Sequence, residues 1–283
     1  MSKIIVTGGA GFIGTHLVKE LTSLKHEVKV FDIVLDPKLD VRDLNATKEF
    51  IKGAEYIFHL AAIPSVQYSL EHPEETHQTN LEGTLNALIA ASEAGVKRFI
   101  FASSCSVYGD TEILPTTEAV LAQPKSPYAL EKFQSEEYLK LFNRIYNLQT
   151  VSLRYFNVYG EGQNPMGAYA SAVPKFLKNK SEGKPLVIFG DGEQTRDFVN
   201  VADIVSANIK AMTSDKVGNG EVINIGSGKS VSINKIAEIV GGEVNHAEAR
   251  VELRNALGDI TLAKKLLDWE PKVNLEEGIK ELL

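Results

Sequence analysis

Short apolar runs alternate, in the first half of the chain, with longer segments in which apolar residues recur every three to four positions. The runs are rich in Val, Ile and Phe and nearly continuous in apolarity, as expected for strands buried on both faces of a parallel sheet. The longer segments have the amphipathic pattern of helices. The predicted strands are Lys3–Thr7, Glu27–Asp32, Tyr56–Leu60, Arg98–Ser103 and Thr150–Arg154, and the predicted helices are Phe12–Leu24, Pro73–Ala94 and Pro127–Tyr146.

This alternation predicts an α/β fold with a doubly wound parallel sheet. We assign residues 1–156 to a nucleotide-binding domain, to which residues 197–226 return. After Arg154 the pattern loosens, and "NVYGEGQNPMG" is predicted as a loop. Residues 157–196 and 227–283 are predicted to form a smaller, discontinuous substrate-binding domain. The elements predicted in the second half of the chain are a helix near Tyr169–Lys180, a strand in "PLVIFG", a helix opening near Val201, a strand in "EVINIG" and two final helices.

Composition narrows the possible partners and compartment. The 283 residues are 43% hydrophobic, enough for a sizeable core, and the formal net charge is -7 without any basic cluster, which argues against a nucleic-acid partner. The single cysteine, Cys105, excludes an internal disulfide and fits a reducing compartment. The N-terminal run "KIIVTGG" is too short for a signal sequence or a membrane span. We expect a cytoplasmic protein without membrane contact, and the scattered histidines predict no metal site.

The stretch "VTGGAGFIGTHL" follows a predicted strand and opens a predicted helix. Gly9, Gly11 and Gly14 match the G-x-G-x-x-G dinucleotide fingerprint, whereas Gly8, Gly11 and Gly14 match a wider spacing. Such glycines allow a tight turn, close approach of a pyrophosphate and close packing of helix on strand. Asp32, about twenty residues later, suits a ribose diol and would repel a 2′-phosphate, so the pattern favours NAD over NADP.

Tyr128 and Lys132 are four residues apart on one face of a predicted helix. An ammonium group there is expected to favour the phenolate, which would let Tyr128 take a proton from a hydroxyl. The buried strand in "FIFASSCSVYGD" runs into Ser103, Ser104 and Ser106 at the carboxyl edge of the sheet, where ligands bind. A serine there can hydrogen-bond the oxygen that is being oxidised.

In this order of motifs the chain resembles the extended short-chain dehydrogenase/reductases of the NAD-dependent epimerase/dehydratase type, with a Rossmann domain. The resemblance rests on "TGGAGFIG", "DVRD", "HLAA", "NLEGTLNAL", "SSCSVYG", "SPYALEK" and "RYFNVYG", and covers nearly the whole chain. It implies NAD as cofactor. The implied NAD contacts are Gly8, Gly11, Phe12, Ile13, Gly14, Asp32, Asp40, Val41, Leu60, Ala61, Ala62, Asn80, Tyr128 and Lys132.

The resemblance also implies a catalytic set and a substrate set. The catalytic residues fall on Ser104, Tyr128 and Lys132, and the lysine also holds the nicotinamide ribose. The position of Ala256 is expected to gate the sugar 2-substituent, and a small residue there predicts that N-acetylamino sugars enter. The implied substrate contacts are Ser65, Ser106, Asn157, Arg196, Ala256 and a second arginine, taken as Arg250 with Arg254 as the alternative.

The segment after Ser104 separates the reactions of this family. Its dehydratases and nucleotide-sugar decarboxylases carry a carboxylate there, whereas this chain has Cys105 and Ser106, and Asp110 lies beyond the turn. Cys105 has no histidine in a recognisable relation to it and is predicted to be a small filler. The sequence therefore favours a UDP-sugar 4-epimerase, similar to the UDP-glucose and UDP-N-acetylglucosamine 4-epimerases. The alternatives are a UDP-sugar decarboxylase, a nucleotide-sugar reductase and a non-catalytic NAD sensor.

Two further expectations concern NAD retention and assembly. Only "IVLDPKL" separates Asp32 from "DVRD", where relatives usually have a longer loop over the adenosine, so NAD is expected to be held less tightly. The resemblance implies a homodimer through the two long helices. Their apolar residues are equally compatible with covering the sheet: Leu85, Leu88, Ile89, Leu130, Phe133, Leu141 and Ile145.

Overall fold

The structure, a computed structural model, describes residues 1–165, 171–249 and 254–283. Its strands form a six-stranded sheet and two smaller sheets. They are β1 Lys3–Thr7, β2 Glu27–Phe31, β3 Tyr56–His59, β4 Arg98–Ser104, β5 Gln149–Tyr155, β6 Asn157–Tyr159, β7 Leu186–Phe189, β8 Thr195–Asn200, β9 Asn219–Ile225, β10 Ser230–Ser232 and β11 Val244–Ala247.

The six-stranded sheet has the order β2-β1-β3-β4-β5-β9, and every neighbouring pair is parallel. Helices cover both of its faces, which confirms the predicted doubly wound α/β class. The helices are α1 Phe12–Ser23, α2 Leu44–Ile51, α3 Val66–Glu71, α4 Pro73–His77, α5 Gly83–Glu93, α6 Pro127–Tyr146, α7 Ala172–Ser181, α8 Val201–Thr213, α9 Ile233–Val240, α10 Thr261–Leu267 and α11 Leu275–Lys280.

Each face of the central sheet carries its own core. On one face, Leu17 and Leu21 of α1 pack with Ile204 of α8 and with the C-terminal Trp269. On the other face, α2, α5 and α6 cover the strands, and Leu88 and Leu139 are fully buried there. The strands are apolar on both sides because both sides are covered.

The first half of the chain matches its sequence pattern closely. The five predicted strands are present with ends shifted by at most one residue, and the helix Pro127–Tyr146 has the predicted bounds. The predicted helix Pro73–Ala94 is interrupted, because residues Gln78–Glu82 form a π-helical turn between α4 and α5. Helices α2 and α3 were not predicted.

The second half contains strands that the sequence pattern did not predict. Strands β6, β8 and β10 form a three-stranded sheet, although β6 lies in the predicted loop and β8 just before the helix predicted near Val201. Strand β7 pairs with β11. Because β8 belongs to the three-stranded sheet, the chain returns to the central sheet only with α8 and β9.

The central sheet changes its winding direction between β1 and β3. These strands are neighbours in the sheet, while β2 lies on the other side of β1. Ligands of doubly wound sheets bind at the carboxyl ends of the strands at such a switch point. The residues that follow β1 and β3, namely Gly8 and Leu60, therefore lie where a cofactor is expected. No helix within the described residues is long and apolar enough to cross a membrane.

Candidate active site

A cavity of about 520 Å³ opens at the carboxyl ends of the central strands. Thirteen of the fourteen predicted cofactor contacts line it; the exception is Asn80. The lining residues that were predicted are Gly8, Gly11, Phe12, Ile13, Gly14, Asp32, Asp40, Val41, Leu60, Ala61, Ala62, Tyr128 and Lys132.

The glycine loop leaves no room for side chains where it meets the rest of the fold. A Cβ on Gly14 would lie 2.3 Å from the Gly8 carbonyl oxygen, and one on Gly8 would lie 2.6 Å from the Ala61 nitrogen. Gly8 also has a positive φ of 68°. Gly11 is the N-cap of α1 and has no side chain to occupy the free N–H groups of that helix. The wider-spaced glycines line the cavity, and Gly9 packs on Val30 instead.

Asp32 follows directly after β2 and faces the glycine loop. Its carboxylate accepts hydrogen bonds from the Ala10 and Val34 backbone N–H groups, both at 2.9 Å. A carboxylate oxygen has two lone pairs, so each retains capacity to accept a hydrogen bond from a ribose hydroxyl. Together with the uncapped helix N-terminus and the glycine cradle, Asp32 makes this end of the cavity fit NAD.

A salt bridge that was not predicted lies at the Asp32 end of the cavity. Arg42 donates to both carboxylate oxygens of Asp40, and hydrogen bonding to Arg42 lowers the pKa of Asp40. Beside them, Ile33, Val34 and Leu35 are 53%, 77% and 61% exposed. The short segment after Asp32 thus leaves apolar side chains uncovered. The "DVRD" motif contained Arg42, but sequence reasoning used only its acidic and apolar positions.

Ser104, Tyr128 and Lys132 come together at the other end of the cavity. Ser104 ends β4 and hydrogen-bonds Tyr128, which lies in the first turn of α6. One turn later, the Lys132 Nζ donates to the Ala102 carbonyl oxygen at 2.7 Å and lies 5.8 Å from the centre of the Tyr128 ring. The arrangement joins a hydroxyl donor, a phenol and an ammonium group in one buried corner.

The pKa of Tyr128 differs from the sequence-based expectation. Burial raises it to about 12, and the hydrogen bond from Ser104 opposes this increase. The expected lowering by Lys132 is absent because the ammonium is turned toward Ala102. Burial also lowers the pKa of Lys132 to about 8, against the opposing charges of Glu131 and Glu136. Tyr128 is therefore a neutral phenol at pH 7 in this state.

Asn80 lies behind the cavity wall. It is 1% exposed, and its carboxamide hydrogen-bonds the Ile63 peptide and the Glu131 carboxylate. Its side chain therefore supports the cavity loop from the side away from the cavity. Polar residues outside the predicted cofactor set also line the cavity, namely Arg42, Glu75, Thr79, Ser103 and Tyr155, and Glu131 supports it through Asn80.

A buried ion pair lies next to the strand ends. Arg154 of β5 donates to both oxygens of Glu136 at 2.8 and 2.6 Å, and Ser103 donates to the same carboxylate. The guanidinium also lies 4.6 Å from the centre of the Tyr108 ring. These groups fix α6 to β4 and β5 directly beside Ser104.

The predicted substrate residues of the second half gather around β8. Arg196 lies on this strand, and Ala256, which is buried, is held by a hydrogen bond from its N–H to the Thr195 carbonyl. Asp197, which was not predicted, accepts from Ser227, Gly228 and Gly258 and so ties three segments together. Arg254 forms a two-point salt bridge with Asp191. Arg250 lies outside the described residues.

The remaining predicted residues lie on three separate elements. Ser65 is the N-cap of α3, and Asn157 begins β6. Ser106 lies in a 3₁₀ turn after Ser104, and its buried hydroxyl has no hydrogen-bond partner among the described residues. Burial raises the pKa of the Cys105 thiol to about 12, which agrees with a filler rather than a nucleophile. The described residues contain no group of three His, Cys, Asp or Glu that could hold a metal.

Several proteins of known activity are similar to this chain. A UDP-glucose 4-epimerase from Thermotoga maritima, solved with UDP-glucose, is 38% identical with a TM-score of 0.92, over 98% of this chain and 96% of that one. A UDP-glucose 4-epimerase from Mycolicibacterium smegmatis is 34% identical over 98% of this chain and 96% of its own length. A UDP-N-acetyl-alpha-D-glucosaminuronate decarboxylase from Bacillus cytotoxicus is 33% identical over 99% and 96%.

The family model of the NAD dependent epimerase/dehydratase family matches residues 4–226, which include the glycine loop, Asp32 and the Ser104–Tyr128–Lys132 corner. The relatives comprise both epimerases and a decarboxylase, so they agree on nucleotide sugars more closely than on one reaction. The cavity and the family match lead to the same cofactor, NAD. The chain belongs to the NAD-dependent epimerase/dehydratase family.

Proposed function

We propose that this protein is an NAD-dependent nucleotide-sugar 4-epimerase acting on UDP-sugars. The observation that carries the proposal is the convergence of Ser104, Tyr128 and Lys132 in one corner, where the next residues, Cys105 and Ser106, bring no carboxylate. Oxidation and re-reduction at one carbon need a single base, and Tyr128 meets that need. Among the residues that the structure describes, the segment that follows Ser104 brings no second acid or base to this corner for elimination or decarboxylation.

The nearby carboxylates are all engaged in structural contacts. Glu131 and Glu136 accept hydrogen bonds inside the protein, and Asp197 accepts from three backbone N–H groups. Glu118 accepts from the Asn224 N–H, and Asp110 is exposed beside Lys125. None of these groups follows Ser104 in the position where related dehydratases carry a carboxylate. This supports the epimerase over the decarboxylase.

The proposed roles follow from the hydrogen-bond geometry. NAD, when bound, supplies the hydride acceptor and later the hydride donor. Ser104 holds the sugar 4-oxygen, and Tyr128, as its phenolate, takes the proton of the 4-hydroxyl as the C4 hydride leaves, giving a 4-keto sugar and a neutral Tyr128. Without NAD the buried Tyr128 is a neutral phenol, and the phenolate would form with NAD bound, when the positive nicotinamide ring and the Lys132 ammonium both favour it. Tyr128 returns the proton when the hydride reaches the other face of C4.

The substrate contacts are proposed on the same basis. Arg196 suits the diphosphate, because a guanidinium binds phosphate oxygens in two-point fashion. Asn157, Ser65 and Ser106 are proposed to contact the sugar and diphosphate region, with Arg250 as the second arginine and Arg254 as the alternative. Ala256 offers a small side chain at the position proposed to gate the sugar 2-substituent. UDP-glucose, UDP-galactose and their N-acetylamino forms are therefore proposed substrates.

The proposal is tested by incubating the protein with a panel of UDP-, GDP- and dTDP-sugars and separating the products by chromatography. We expect 4-epimers of UDP-sugars, with no net change in NADH. Carbon dioxide from UDP-glucuronate would instead identify a decarboxylase, and net NADH consumption would identify a reductase. Bound NAD with no turnover of any sugar would favour the sensor alternative.

We also propose a homodimer that uses the outer face of α6. The core contains or contacts three apolar residues of α5, Leu85, Leu88 and Ile89. On α6, by contrast, three apolar or aromatic side chains are exposed to solvent, namely Leu130 (43%), Ile145 (56%) and Tyr146 (56%). Exposed apolar side chains of this kind favour an interface. Sedimentation analysis should give a dimer, and Leu130→Arg should shift it toward the monomer. A monomeric wild type would contradict the proposal.

A further inference from the structure

The most unusual buried group outside the catalytic corner is the carboxylate of Glu131, the residue before Lys132. Glu131 is 3% exposed. It accepts hydrogen bonds from the Thr76 hydroxyl at 2.9 Å and from the Asn80 amide at 2.7 Å, both of them neutral donors. Within the described residues it forms no ion pair. Burying a carboxylate destabilises the fold, so we expect the hydrogen bonds of Glu131 to fix the positions of the groups that it contacts.

Asn80 connects Glu131 to the cavity. The Asn80 side-chain oxygen accepts from the Ile63 N–H at 2.7 Å, and its nitrogen donates to the Ile63 carbonyl at 3.3 Å and to Glu131. Ile63 belongs to residues 60–64, which line the cavity and are called here the cofactor loop. Asn80 therefore binds both backbone polar groups of Ile63 in the cofactor loop and, through Glu131, also binds α6.

The π-helical turn at Gln78–Glu82 contains Asn80 at its centre. Such turns interrupt α-helices and are frequent at functional sites. Here the turn leaves the Asn80 carbonyl available to the Thr84 hydroxyl, which also meets His59 Nε2.

The other end of the cofactor loop is held by a second set of contacts. His59 Nδ1 meets the Thr7 hydroxyl at 2.8 Å, and Thr7 accepts from the Ala61 N–H. One continuous hydrogen-bonded chain thus runs from the end of β1 through the π-helical turn to α6. Glu131 is its last member, on the helix that carries Tyr128 and Lys132.

We propose that Glu131 is a positioning residue that, through Asn80, sets the distance between the cofactor loop and the helix bearing Tyr128 and Lys132. The charged acceptor strengthens the Asn80 hydrogen bond and fixes which way the amide faces. The cofactor loop then cannot move away from α6 when the cavity is empty. The catalytic part of this inference rests on the proposed function, whereas the part that concerns NAD affinity does not.

The experiment exchanges the amide of Asn80 and the carboxylate of Glu131 between the two positions. In Glu131→Gln the acceptor loses its charge, and in Asn80→Asp two carboxylates face each other. In the double variant N80D/E131Q, the amide introduced at position 131 can donate to the carboxylate introduced at position 80, which restores one bond with reversed direction. NAD dissociation constants are measured by fluorescence titration, and kcat and KM on the best UDP-sugar. The control is Glu137→Gln, which removes an exposed carboxylate of α6 that pairs with Lys140.

We expect the NAD dissociation constant to rise about fivefold in E131Q and more than about tenfold in N80D, because each variant loses a hydrogen bond to a charged group. The double variant should return to within about threefold of the wild type, as a coupled pair requires. The same variants should turn over the sugar more slowly, and the factor by which kcat falls should exceed the factor by which the KM for the sugar rises. E137Q should match the wild type.

Three outcomes would overturn the inference. One is wild-type NAD affinity and kcat in E131Q. Another is a double variant no better than the sum of its single variants, and the last is failure of both E131Q and the double variant to fold, which would make Glu131 a folding determinant only. If the wild type epimerises no sugar, the proposed function fails, and the NAD titrations still decide the role of Glu131.

Discussion

The Lys132 ammonium donates to the Ala102 carbonyl oxygen at 2.7 Å and remains 5.8 Å from the centre of the Tyr128 ring. Lys132 therefore donates no hydrogen bond to Tyr128 through this proton, and its charge does not lower the pKa of Tyr128 in this structure. Around it lie Glu131 and Glu136 on its own helix and His59 on β3, which burial keeps neutral by lowering its pKa to about 3. Burial thus lowers the pKa of Lys132, and the Glu131 and Glu136 carboxylates oppose this decrease.

This arrangement predicts an alkaline limit to activity. Burial lowers the pKa of Lys132 to about 8, so the ammonium is present below that pH and is lost as the pH rises through it. If the Lys132 charge is needed to form the Tyr128 phenolate once NAD is bound, kcat should fall above about pH 8. Lys132→Arg keeps its charge at every accessible pH and should lose this alkaline limb, although its overall rate will be lower. The exposed Lys140→Arg is the control, and an unchanged limb in K132R would contradict the assignment.

Tyr128→Phe should abolish epimerisation while leaving NAD binding intact. The ring stays in place and only the hydroxyl that meets Ser104 is removed, so the fold and the cavity should be preserved. We expect kcat to fall by at least about 100-fold, the usual worth of a general base. Product formation and NAD titration check the two halves of this statement, and a wild-type rate would remove Tyr128 as the base.

The Glu136–Arg154 pair should be a large determinant of stability. Its side chains are 0% and 5% exposed, so Glu136→Gln leaves a buried guanidinium without its counter-charge. The free energy of unfolding should fall by about 3–5 kcal/mol, as when one partner of a buried pair is removed. Urea denaturation of E136Q and of the exposed control E137Q measures this. A loss equal to that of E137Q would show that the pair contributes little.

NAD should be lost from the protein during purification. Ile33, Val34 and Leu35 are exposed beside the cavity, because the segment after Asp32 is too short to fold over it. We expect low activity after gel filtration, restored by added NAD, and a low ratio of absorbance in the nucleotide band to that in the protein band. A fully loaded protein after gel filtration would contradict this expectation.

The small residue at position 256 predicts a broad sugar specificity. Ala256 is buried and its backbone is fixed to Thr195, so the proposed 2-substituent gate cannot close by a side-chain rotation. UDP-galactose and UDP-N-acetylgalactosamine should be turned over at rates within about tenfold of each other. This ratio corresponds to a difference of at most about 1.4 kcal/mol in activation free energy. No turnover of the N-acetylamino sugars, with good turnover of UDP-galactose, would refute the gate.

The sequence predicted the central sheet because its strands are apolar on both faces and are linked by amphipathic helices. The glycine loop, Asp32 and the Ser104–Tyr128–Lys132 set were found because short motifs encode them locally. The interruption at Gln78–Glu82 was not predictable from helical periodicity, since the contacts that stabilise it come from Ile63 and Glu131.

Strands β6, β8 and β10 were missed for a different reason. Strands β6 and β10 are only three residues long, and β8, "TRDFVN", is mostly polar, so none of them has the continuous apolar run by which the central strands were predicted. Helix α2 had a local signal that went unused, because the Asp43 side chain caps its first turn by accepting from Asn45 and Ala46. The Tyr128 pKa was predicted in the wrong direction because burial cannot be read from a four-residue spacing.

Strand β9 has a consequence for how specificity can change in this architecture. It pairs with β5 at the edge of the central sheet after the chain has supplied β6 and β8 to the three-stranded sheet and before β10 completes that sheet. The chain therefore passes between the two sheets more than once, and removing everything after β8 would leave β5 as the unpaired edge of the central sheet. We expect new sugar specificities to be acquired by changes within the segments that lie between these strands, since the substrate half is not one continuous stretch that could be exchanged as a unit.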